Sequence, residues 1–444
     1  MKPSPLTLNT LLAPLREAMQ TFPDRRKGKN VHYALVDVAA SAFSVFFTQC
    51  PSFLAHQQAM QEMRGTNNAK TLFGVQEIPT DPHIRALLDA VPPTALFPVF
   101  DQYFSLLHEQ KILDAERRPD GTLLLALDGT WYFSSKTVHC PSCCTRKHRD
   151  GTITYYHGML TPVLVAPENE HVFALAPEFI VPQDGTTKQD CENQAAKRWI
   201  RAHAAWCREH HIVLLGDDLY AHQPLCELLL QEQCPFLFVC LPTSHPFLYD
   251  WLAALDTQDL HTHTKRVWKG SYAEIWTYRY ATQLPLRGGA DALLLNWCEL
   301  TITREDTGKQ LYKNAWVTPL SMTAETVQER VTCGRARWKV ENENNNTLKT
   351  KGYHLEHNFG HGQQHLAAML ATMNILAFLC HTILECADAR YRLLREKLPS
   401  RATFFQDLRA LLRYLCFADW DHLLQFMLAG LQERHDATGL LLSG

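Results

Sequence analysis

Between residues 120 and 241 the chain alternates short apolar runs with helical patterns, and this alternation limits the folds that it can adopt. Five runs have the length and the β-branched or aromatic content of strands: 122–128, 152–166, 171–181, 212–217 and 235–241. The first three follow one another directly, whereas helical patterns precede the fourth, at 188–211, and the fifth, at 221–233. The resulting order, β-β-β-α-β-α-β, predicts an α/β core.

The segments on either side of this core have other patterns. Residues 1–115 are predicted to be helical, and Asp81 followed by Pro82 marks one helix start. Residues 265–318 are rich in strand-forming residues, so we expect an all-β insertion rather than a continuation of the α/β core. The chain beyond this insertion is predicted to be mostly helical.

The composition is that of a globular protein with a large core. Of the 444 residues, 46% are hydrophobic and 20% are charged, which predicts two or three domains. The net charge of −3 does not require an anionic partner, so any nucleic-acid surface must come from local basic clusters.

The 14 cysteines and the lack of a signal-peptide pattern predict a reduced cytosolic setting. The apolar run 365–384 is long enough to cross a membrane, but it contains Asn374 and His381 and lacks basic flanks, so we expect a core helix and no membrane partner.

Two of the predicted core strands end in an acidic residue, Asp128 in ALDGTW and Asp217 in LLGDDLY. Groups beyond the strand ends of an open α/β sheet converge on one crevice. Carboxylates in such a place need a compensating cation, and Mg²⁺ accepts a few carboxylates together with water and phosphate oxygens. Each aspartate alone also fits a turn or a helix cap.

The stretch RARWKVENENNN offers a third acid. Helical spacing puts Trp338, Glu341, Asn345 and Leu348 on one face, with Arg337 one turn before Glu341. We expect Trp338 and Leu348 to pack against the sheet and to direct Glu341 toward the strand ends, where paired metal ions would activate water. The alternative is an exposed Arg–Glu pair that stabilises a surface helix.

A cluster of cysteines and histidines follows the first acid, in HCPSCCTRKH. Its C-x2-C spacing fits a structural zinc ion, but one such pair is a weak signal, and reduced cysteines in a loop are the favoured alternative. The candidate ligands are Cys140, Cys143, His139 and His148, with Cys144 and His157 nearby.

With these residues in place, the chain resembles the DDE-type bacterial insertion-sequence transposases, in the cut-and-paste branch whose RNase H-like core is interrupted by a β-rich insertion. The resemblance covers about residues 115–375. It is carried by ALDGTWYFSS, HCPSC, PQDG, GDDLY, RARWKVENE and GYHLEHNFGHG.

The resemblance implies an α/β fold with an RNase H-like catalytic core, an all-β insertion and helical regions at both chain ends. The implied domains are a helical N-terminal region that is a possible DNA-binding domain, the first part of the core, the β-rich insertion, the last part of the core with the catalytic helix, and a helical C-terminal region. Their bounds are 1–115, 116–250, 251–325, 326–385 and 386–444.

The resemblance also implies that Asp128, Asp217 and Glu341 are the catalytic residues and the ligands of two Mg²⁺ (or Mn²⁺) ions. Asp218 and Glu343 are the rivals for the second and third positions. The family spacing to the following aromatic residue selects Asp217, and the spacing from the tryptophan selects Glu341.

The family pattern Y-x2-R-x3-E-x6-K is met only in part, because Gly334 stands at the tyrosine position and Leu348 at the lysine position. Lys349 is the expected substitute for that lysine. Some relatives stack a flipped base on a tryptophan of the insertion, which points to Trp316 or Trp297, although each is also a candidate core residue. The candidate DNA contacts are Arg337, Lys349, Lys351, Arg146, Lys147 and Trp316.

The implied activity is cleavage at transposon ends by water attack and joining of the freed 3′-hydroxyl to target DNA. The implied partners are double-stranded transposon-end and target DNA, held by a homodimer on paired ends in the bacterial cytoplasm at the nucleoid. A metal-dependent nuclease that does not join strands, and an inactive transposase-derived DNA-binding protein, remain as alternatives. The histidines of GYHLEHNFGHG, including His361, fit either a DNA-facing turn or a metal cluster.

Overall fold

All the described strands belong to one mixed β-sheet in the computed structural model, which describes residues 6–26, 32–61, 67–182, 191–256 and 258–437, with side chains to residue 431. The strands are β1 (Leu123–Ser135), β2 (Cys144–Lys147), β3 (Ile153–Ala166), β4 (Asn169–Ala174), β5 (Glu178–Ile180), β6 (Ile212–Gly216), β7 (Phe236–Val239), β8 (His261–Trp268), β9 (Ala273–Pro285), β10 (Leu294–Arg304) and β11 (Gln310–Thr318). The PQDG motif extends into residues 183–190, which lie outside the described residues.

Helices form most of the two chain ends and separate the central strands. They are α1 (Leu8–Gln20), α2 (Leu35–Phe47), α3 (Phe53–Gln61), α4 (Asn68–Phe73), α5 (Asp81–Leu88), α6 (Phe97–Glu109), α7 (Glu192–Glu209), α8 (Gln223–Gln231), α9 (Pro246–Ala254), α10 (Val327–Arg335), α11 (Asn346–Thr350), α12 (Leu366–Ala387), α13 (Ala389–Lys397), α14 (Arg401–Tyr414) and α15 (Trp420–Ala437). A π-helical segment, Val340–Asn345, directly precedes α11.

The strand order in the sheet is β2-β3-β1-β6-β7-β11-β10-β9-β8, and β4 and β5 also pair with β3. β1 runs parallel to β6 and β6 parallel to β7, whereas β1 and β3 are antiparallel. Every residue of β6 and β7 is buried, as is usual for parallel strands covered on both faces. The five predicted core strands therefore occur in the predicted order along the chain, as β1, β3, β4, β6 and β7. The strands β2 and β5 are short additions.

The β-rich segment does not form a separate unit, which corrects the expectation of an insertion distinct from the core. β11 pairs antiparallel with β7, with Trp316 opposite Val239, so β8 to β11 extend the central sheet. Without β11, β7 would be an edge strand with unpaired N–H and C=O groups, and such edges are usually covered. The predicted boundary at residue 251 also falls inside α9.

The helical regions from the two chain ends pack on each other. Asn68 donates hydrogen bonds to the main-chain oxygens of Leu412 (2.9 Å) and Leu415 (2.8 Å), and Arg409 donates to that of Gln49 at 2.9 Å. Among the described residues, α12 is the one helix long and apolar enough to span a membrane, and 89% of its most apolar window is buried inside the protein. It forms the core helix expected from its sequence.

The segment that carries the third acid departs from a regular α-helix. Leu348 is completely buried, as expected, but Trp338 is 45% exposed and does not pack against the sheet. The prediction for Trp338 was wrong because the intervening π-helical segment changes the 3.6-residue spacing on which it depended. Single-turn π segments inside helices are frequent at functional sites.

Candidate active site

The pairing of β1 with β6 brings the first two acids side by side. The last pair in this parallel ladder is Ala126 with Leu215, and extending its register by two residues places Asp128 opposite Asp217. Neighbouring strands lie about 4.8 Å apart, so the two backbones are close. β1 continues to Ser135 along β3, and Asp128 therefore lies within the strand rather than at its end, as the sequence had suggested. Asp217 directly follows β6.

The run of asparagines supplies a direct contact to the first acid. Asn345 donates a hydrogen bond from Nδ2 to Asp128 Oδ2 at 2.7 Å. Asn344 donates to Asn345 Oδ1 at 2.9 Å, which orients the amide so that its N–H groups face Asp128. Thr161, opposite Asp128 on β3, donates to the main-chain oxygen of Asp128 at 2.9 Å. The segment is rich in amides because its buried side meets a carboxylate.

Arg337 and Glu341 form the i,i+4 ion pair that the sequence offered as the alternative to a metal ligand, with Nη1 and Oε1 2.7 Å apart. The arginine side chain is only 16% exposed, whereas the glutamate side chain is 49% exposed. Burial raises the pKa values of Asp128 and Asp217, and the positive charge of Arg337 offsets part of this effect. The pair is therefore part of the acidic site and not an isolated surface ion pair.

A fourth carboxylate, which the sequence analysis missed, lies in the same site. Glu192, at the start of α7, accepts a hydrogen bond from the N–H of Gly129 at 3.0 Å and another from the Tyr220 hydroxyl. Burial raises the pKa of Glu192, the hydrogen bond from Tyr220 opposes this, and the negative charge of Asp217 raises the pKa further. Glu192 thus links β1, which carries Asp128, to Tyr220 in the segment that follows Asp217.

The glycines next to the two aspartates make room for this arrangement. A Cβ atom on Gly129 would overlap the Glu192 carboxylate, and one on Gly216 would lie 2.9 Å from the ring of Tyr220. Each glycine adjoins an acid in the sequence, in DGT and in GDD. These two glycines, together with Tyr220, are the sequence signal that could have indicated a further side chain in the site.

The acids interact strongly with one another. Burial raises the pKa of Asp128 to about 7, and the negative charges of Glu192, Glu341 and Asp217 act in the same direction, against Arg337. Burial likewise raises the pKa of Asp217, with a contribution from Glu341. Asp128, Asp217 and Glu341 therefore interact electrostatically, and their mutual repulsion favours a cation among them.

The donor set fits hard divalent ions. Asp128, Asp217, Glu341 and Glu192 offer carboxylate oxygens, which are the ligands of Mg²⁺ and Mn²⁺ rather than of soft metals. Among the described residues, no three of these acids have ligand atoms that all lie within 4.8 Å of one another. A pair of ions about 3.5–4 Å apart does not require this, because each ion takes only part of the ligand set.

The two rival acids have other partners. Asp218 accepts hydrogen bonds from the N–H of Leu241 at 2.7 Å and from the Ser244 hydroxyl, which tie it to the loop after β7. Burial lowers the pKa of Lys339, and the negative charge of Glu343 offsets part of this effect. Asp217 and Glu341, rather than these two rivals, are among the acids whose charges raise the pKa of Asp128, after the larger effect of burial.

The basic residues that the sequence proposed as DNA contacts differ in their surroundings. Arg146 and Lys147 are exposed on β2, and Lys351 is exposed after α11. Lys349 forms an ion pair with Glu356, with Nζ and Oε1 2.8 Å apart. Arg146, Lys147 and Lys351 are therefore accessible to a phosphate backbone, and Lys349 must exchange its partner to bind one.

Trp316 is a core residue in this structure, which corrects its proposed role in stacking a base. It is completely buried, and Trp297 is 1% exposed. A Cβ atom on Gly334 would lie 2.6 Å from Trp316 Nε1, so the backbone of α10 packs directly on the indole ring. This contact leaves no room for a larger side chain at residue 334, and the complete burial of Leu348 disfavours a charged side chain at residue 348.

An aromatic pair next to the acids offers a stacking surface that the sequence analysis did not identify. The rings of Trp131 and Tyr156 stack with centroids 4.2 Å apart and an interplanar angle of 18°. Both line a pocket that also contains Gly129 and Glu192. This surface adjoins the acidic site directly.

The proposed zinc ligands are only partly brought together. Cys140 and Cys143 lie close to each other, but the histidines that join them are His157 and His361, not His139 and His148. His139 stacks on Tyr155, with ring centroids 4.4 Å apart, and His148 Nε2 lies 2.8 Å from the Thr154 hydroxyl. The sequence suggested neighbours along the chain, whereas the fold brings in residues from β3 and from the segment before α12.

No protein-family model matches the chain. No curated protein matches it either. Among solved structures, the chain is similar to a piggyBac transposase in a synaptic complex with hairpin DNA, determined by cryo-EM. The TM-score is 0.40 and the identity 10%, over 96% of this chain and 78% of that chain. A likeness of this size assigns no role to any residue.

Proposed function

We propose that this protein is a metal-dependent DNA transposase that cleaves transposon-end DNA and joins the freed 3′-hydroxyl to target DNA. The observation that carries the proposal is the electrostatic interaction of Asp128 on β1 with Asp217, directly after the neighbouring parallel strand β6, and with Glu341 and Glu192. Such a group of carboxylates suits Mg²⁺ or Mn²⁺ and a phosphodiester substrate.

The topology supports an RNase H-like core for this proposal. Three antiparallel strands, β4, β3 and β1, are followed in the sheet by the parallel strands β6 and β7. This is the strand order of the fold that the sequence resemblance implies. The acids lie on β1, after β6 and in the helical segment that packs on β1, which are the places where that resemblance puts the catalytic triad.

Each side chain has a proposed role in binding or orientation. Asp128, Asp217 and Glu341 hold the metal ions, and Glu192 completes the ligand set on the β6 side. Bound divalent cations supply an activated water or 3′-hydroxyl and offset the charge that develops on the phosphate. Arg337 balances the carboxylates and, when Glu341 turns to a metal, is free to contact a phosphate oxygen.

The surfaces around the site suit a nucleic acid. Arg146 and Lys147 would contact phosphates from the exposed strand β2, since cationic side chains there release counterions from DNA. The Trp131–Tyr156 pair would hold an unstacked base beside the acids, because stacking on aromatic side chains offsets part of the cost of extruding a base. We propose a homodimer on paired ends, acting on chromosomal DNA in the bacterial cytoplasm.

One assay separates this proposal from its two alternatives. The purified protein is mixed with DNA that carries the terminal repeats flanking its coding region, a target plasmid, and Mg²⁺ or Mn²⁺. Joined products support a transposase, cleavage without joining supports a nuclease, and binding without cleavage supports an inactive DNA-binding protein. Asp128→Ala should abolish cleavage while DNA binding stays within about twofold of the wild type. Cleavage at the wild-type rate by that variant would overturn the assignment of the site.

A further inference from the structure

A second cluster of potential metal ligands lies apart from the acids and joins distant parts of the chain. It consists of Cys140 and Cys143 in the loop between β1 and β2, His157 on β3, and His361 in the segment before α12. The ligand atoms of all four lie within 4.8 Å of one another. Both cysteines and His157 are less than 9% exposed.

The distances within the cluster are those of a tetrahedral site with two sulfur and two nitrogen ligands. The Sγ atoms of Cys140 and Cys143 are 3.8 Å apart, and each lies 3.5 Å from His157 Nε2. His361 Nε2 lies 3.4 Å from Cys143 Sγ and 3.1 Å from His157 Nε2. With Zn–S of about 2.3 Å and Zn–N of about 2.0–2.1 Å, a tetrahedron has S–S, S–N and N–N edges of about 3.8, 3.5 and 3.4 Å.

The surroundings of the ligands also suit a bound metal. His361 Nδ1 lies 3.1 Å from the main-chain oxygen of Gly362, so a proton on Nδ1 leaves the lone pair of Nε2 directed at the cluster. The N–H of Cys140 donates to Cys143 Sγ at 3.4 Å, which favours a thiolate. The ring of Phe133 packs on that of His361, with centroids 4.3 Å apart.

Hydrogen bonding among neutral side chains does not account for this geometry. Cys143 Sγ has three polar neighbours, Cys140, His157 and His361, although a thiol is only a weak donor and a weak acceptor of hydrogen bonds. The sulfur separation of 3.8 Å is also far from the roughly 2.05 Å of a disulfide. Convergence of two sulfurs and two imidazole nitrogens on one point is the pattern of a zinc site.

We infer that Cys140, Cys143, His157 and His361 bind a structural zinc ion. This ion fastens the loop after β1, the strand that carries Asp128, to the segment that follows α11, the helix next to Asn345 and Glu341. It is a structural site because all four positions are filled by protein ligands, which leaves none for a substrate. The inference does not depend on the proposed DNA chemistry, since the acids take no part in it.

The test measures the metal content of the full chain, purified without chelators, by inductively coupled plasma mass spectrometry. We expect about one zinc ion per chain in the wild type. Cys143→Ser and His361→Ala should contain less than a tenth as much. The matched controls His139→Ala and His148→Ala should keep it, as should Asp128→Asn. Loss of zinc from either histidine control would overturn the ligand assignment.

Two further measurements keep the test decisive if a ligand variant fails to fold. Co²⁺ added to wild-type protein stripped of zinc should give the visible absorption of a tetrahedral thiolate–imidazole complex, and Zn²⁺ should displace it. Stripping should also raise amide hydrogen exchange in residues 352–362 at least tenfold, with reversal on adding Zn²⁺. A wild-type protein that lacks zinc and gives no Co²⁺ spectrum, or whose Cys140 and Cys143 are joined in a disulfide, would refute the site.

Discussion

Asn345 and Asp128, 217 positions apart in the chain, are joined by a hydrogen bond of 2.7 Å from the amide Nδ2 to the carboxylate Oδ2. Through this contact the helical segment after α10 meets the central strand of the core. The bond is part-buried, and hydrogen bonds to charged groups contribute about 1.5–3 kcal/mol. It therefore fixes the helical segment relative to the sheet and holds Glu341 near the aspartates.

Replacing this amide by a carboxylate should make the protein dependent on divalent cations. In Asn345→Asp, two carboxylates face each other, so we expect the free energy of unfolding to fall by about 2 kcal/mol in a chelating buffer. Added Mg²⁺ should restore most of the loss, because a cation between the carboxylates removes their repulsion. Thermal unfolding with and without Mg²⁺ measures this. Asn346→Asp, at the exposed neighbouring position, is the control and should change stability by less than about 0.5 kcal/mol. Equal behaviour of the two variants would contradict the role of Asn345.

Adding one methyl group at Gly129 should displace Glu192. Gly129→Ala forces the new Cβ atom into the Glu192 carboxylate, and overpacking of this kind costs about 1–3 kcal/mol. We expect the cleavage rate to fall at least tenfold. Gly158→Ala on β3 is the matched control, since its Cβ would meet no atom closer than 3.6 Å. In the double variant Gly129→Ala, Glu192→Ala the stability should return while cleavage stays low. Full activity in Gly129→Ala would show that Glu192 is not part of the site.

Removing the positive charges of β2 should weaken DNA binding in a salt-dependent way. The slope of log K against log salt is negative for DNA binding. If Arg146 and Lys147 each contact a phosphate, Arg146→Ala and Lys147→Ala should each reduce the magnitude of this slope by about 0.9. The measurement is fluorescence anisotropy with end DNA at several salt concentrations. Lys397→Ala, at an exposed position of α13, serves as the control for net charge. A slope that falls equally in all three variants would mean that β2 makes no specific phosphate contact.

The buried Glu116 should make stability decrease as the pH rises. Burial raises the pKa of Glu116 to about 7, against the hydrogen bond from Asn169, so the folded protein favours the protonated form. The contribution of the protonated Glu116 to folding stability is present in full below the ordinary pKa of 4.5. This contribution is lost as the pH rises through about 7. Relative to Glu116→Gln, the wild type should lose up to about 3 kcal/mol between pH 5 and pH 8. Urea unfolding at four pH values tests this, and parallel curves for the two proteins would contradict it.

The sequence predicted those parts of the fold that depend on local pattern. Five apolar runs gave the central strands and their order, and the acid after IVLLG lies where expected, directly behind β6. The length of β1 was missed because it depends on pairing with β3, a contact between distant residues. The attachment of β11 to β7 was missed for the same reason.

The candidate site was predictable only where neighbours in the chain are also neighbours in space. The Arg337–Glu341 pair follows from helical spacing, and it is present. Glu192 and His361 enter their sites through tertiary packing, which no spacing rule describes. Trp338 was misplaced because a π-helical segment cannot be deduced from a 3.6-residue periodicity.

The packing of the two chain ends around α12 has a consequence for incomplete copies of the protein. A polypeptide that stops before α12 lacks the surface that covers α2, most of whose side chains are apolar and buried. We expect such a product to be degraded rather than to persist as a folded amino-terminal fragment. A gene shortened by an early stop codon before α12 would then yield no stable product rather than a folded fragment.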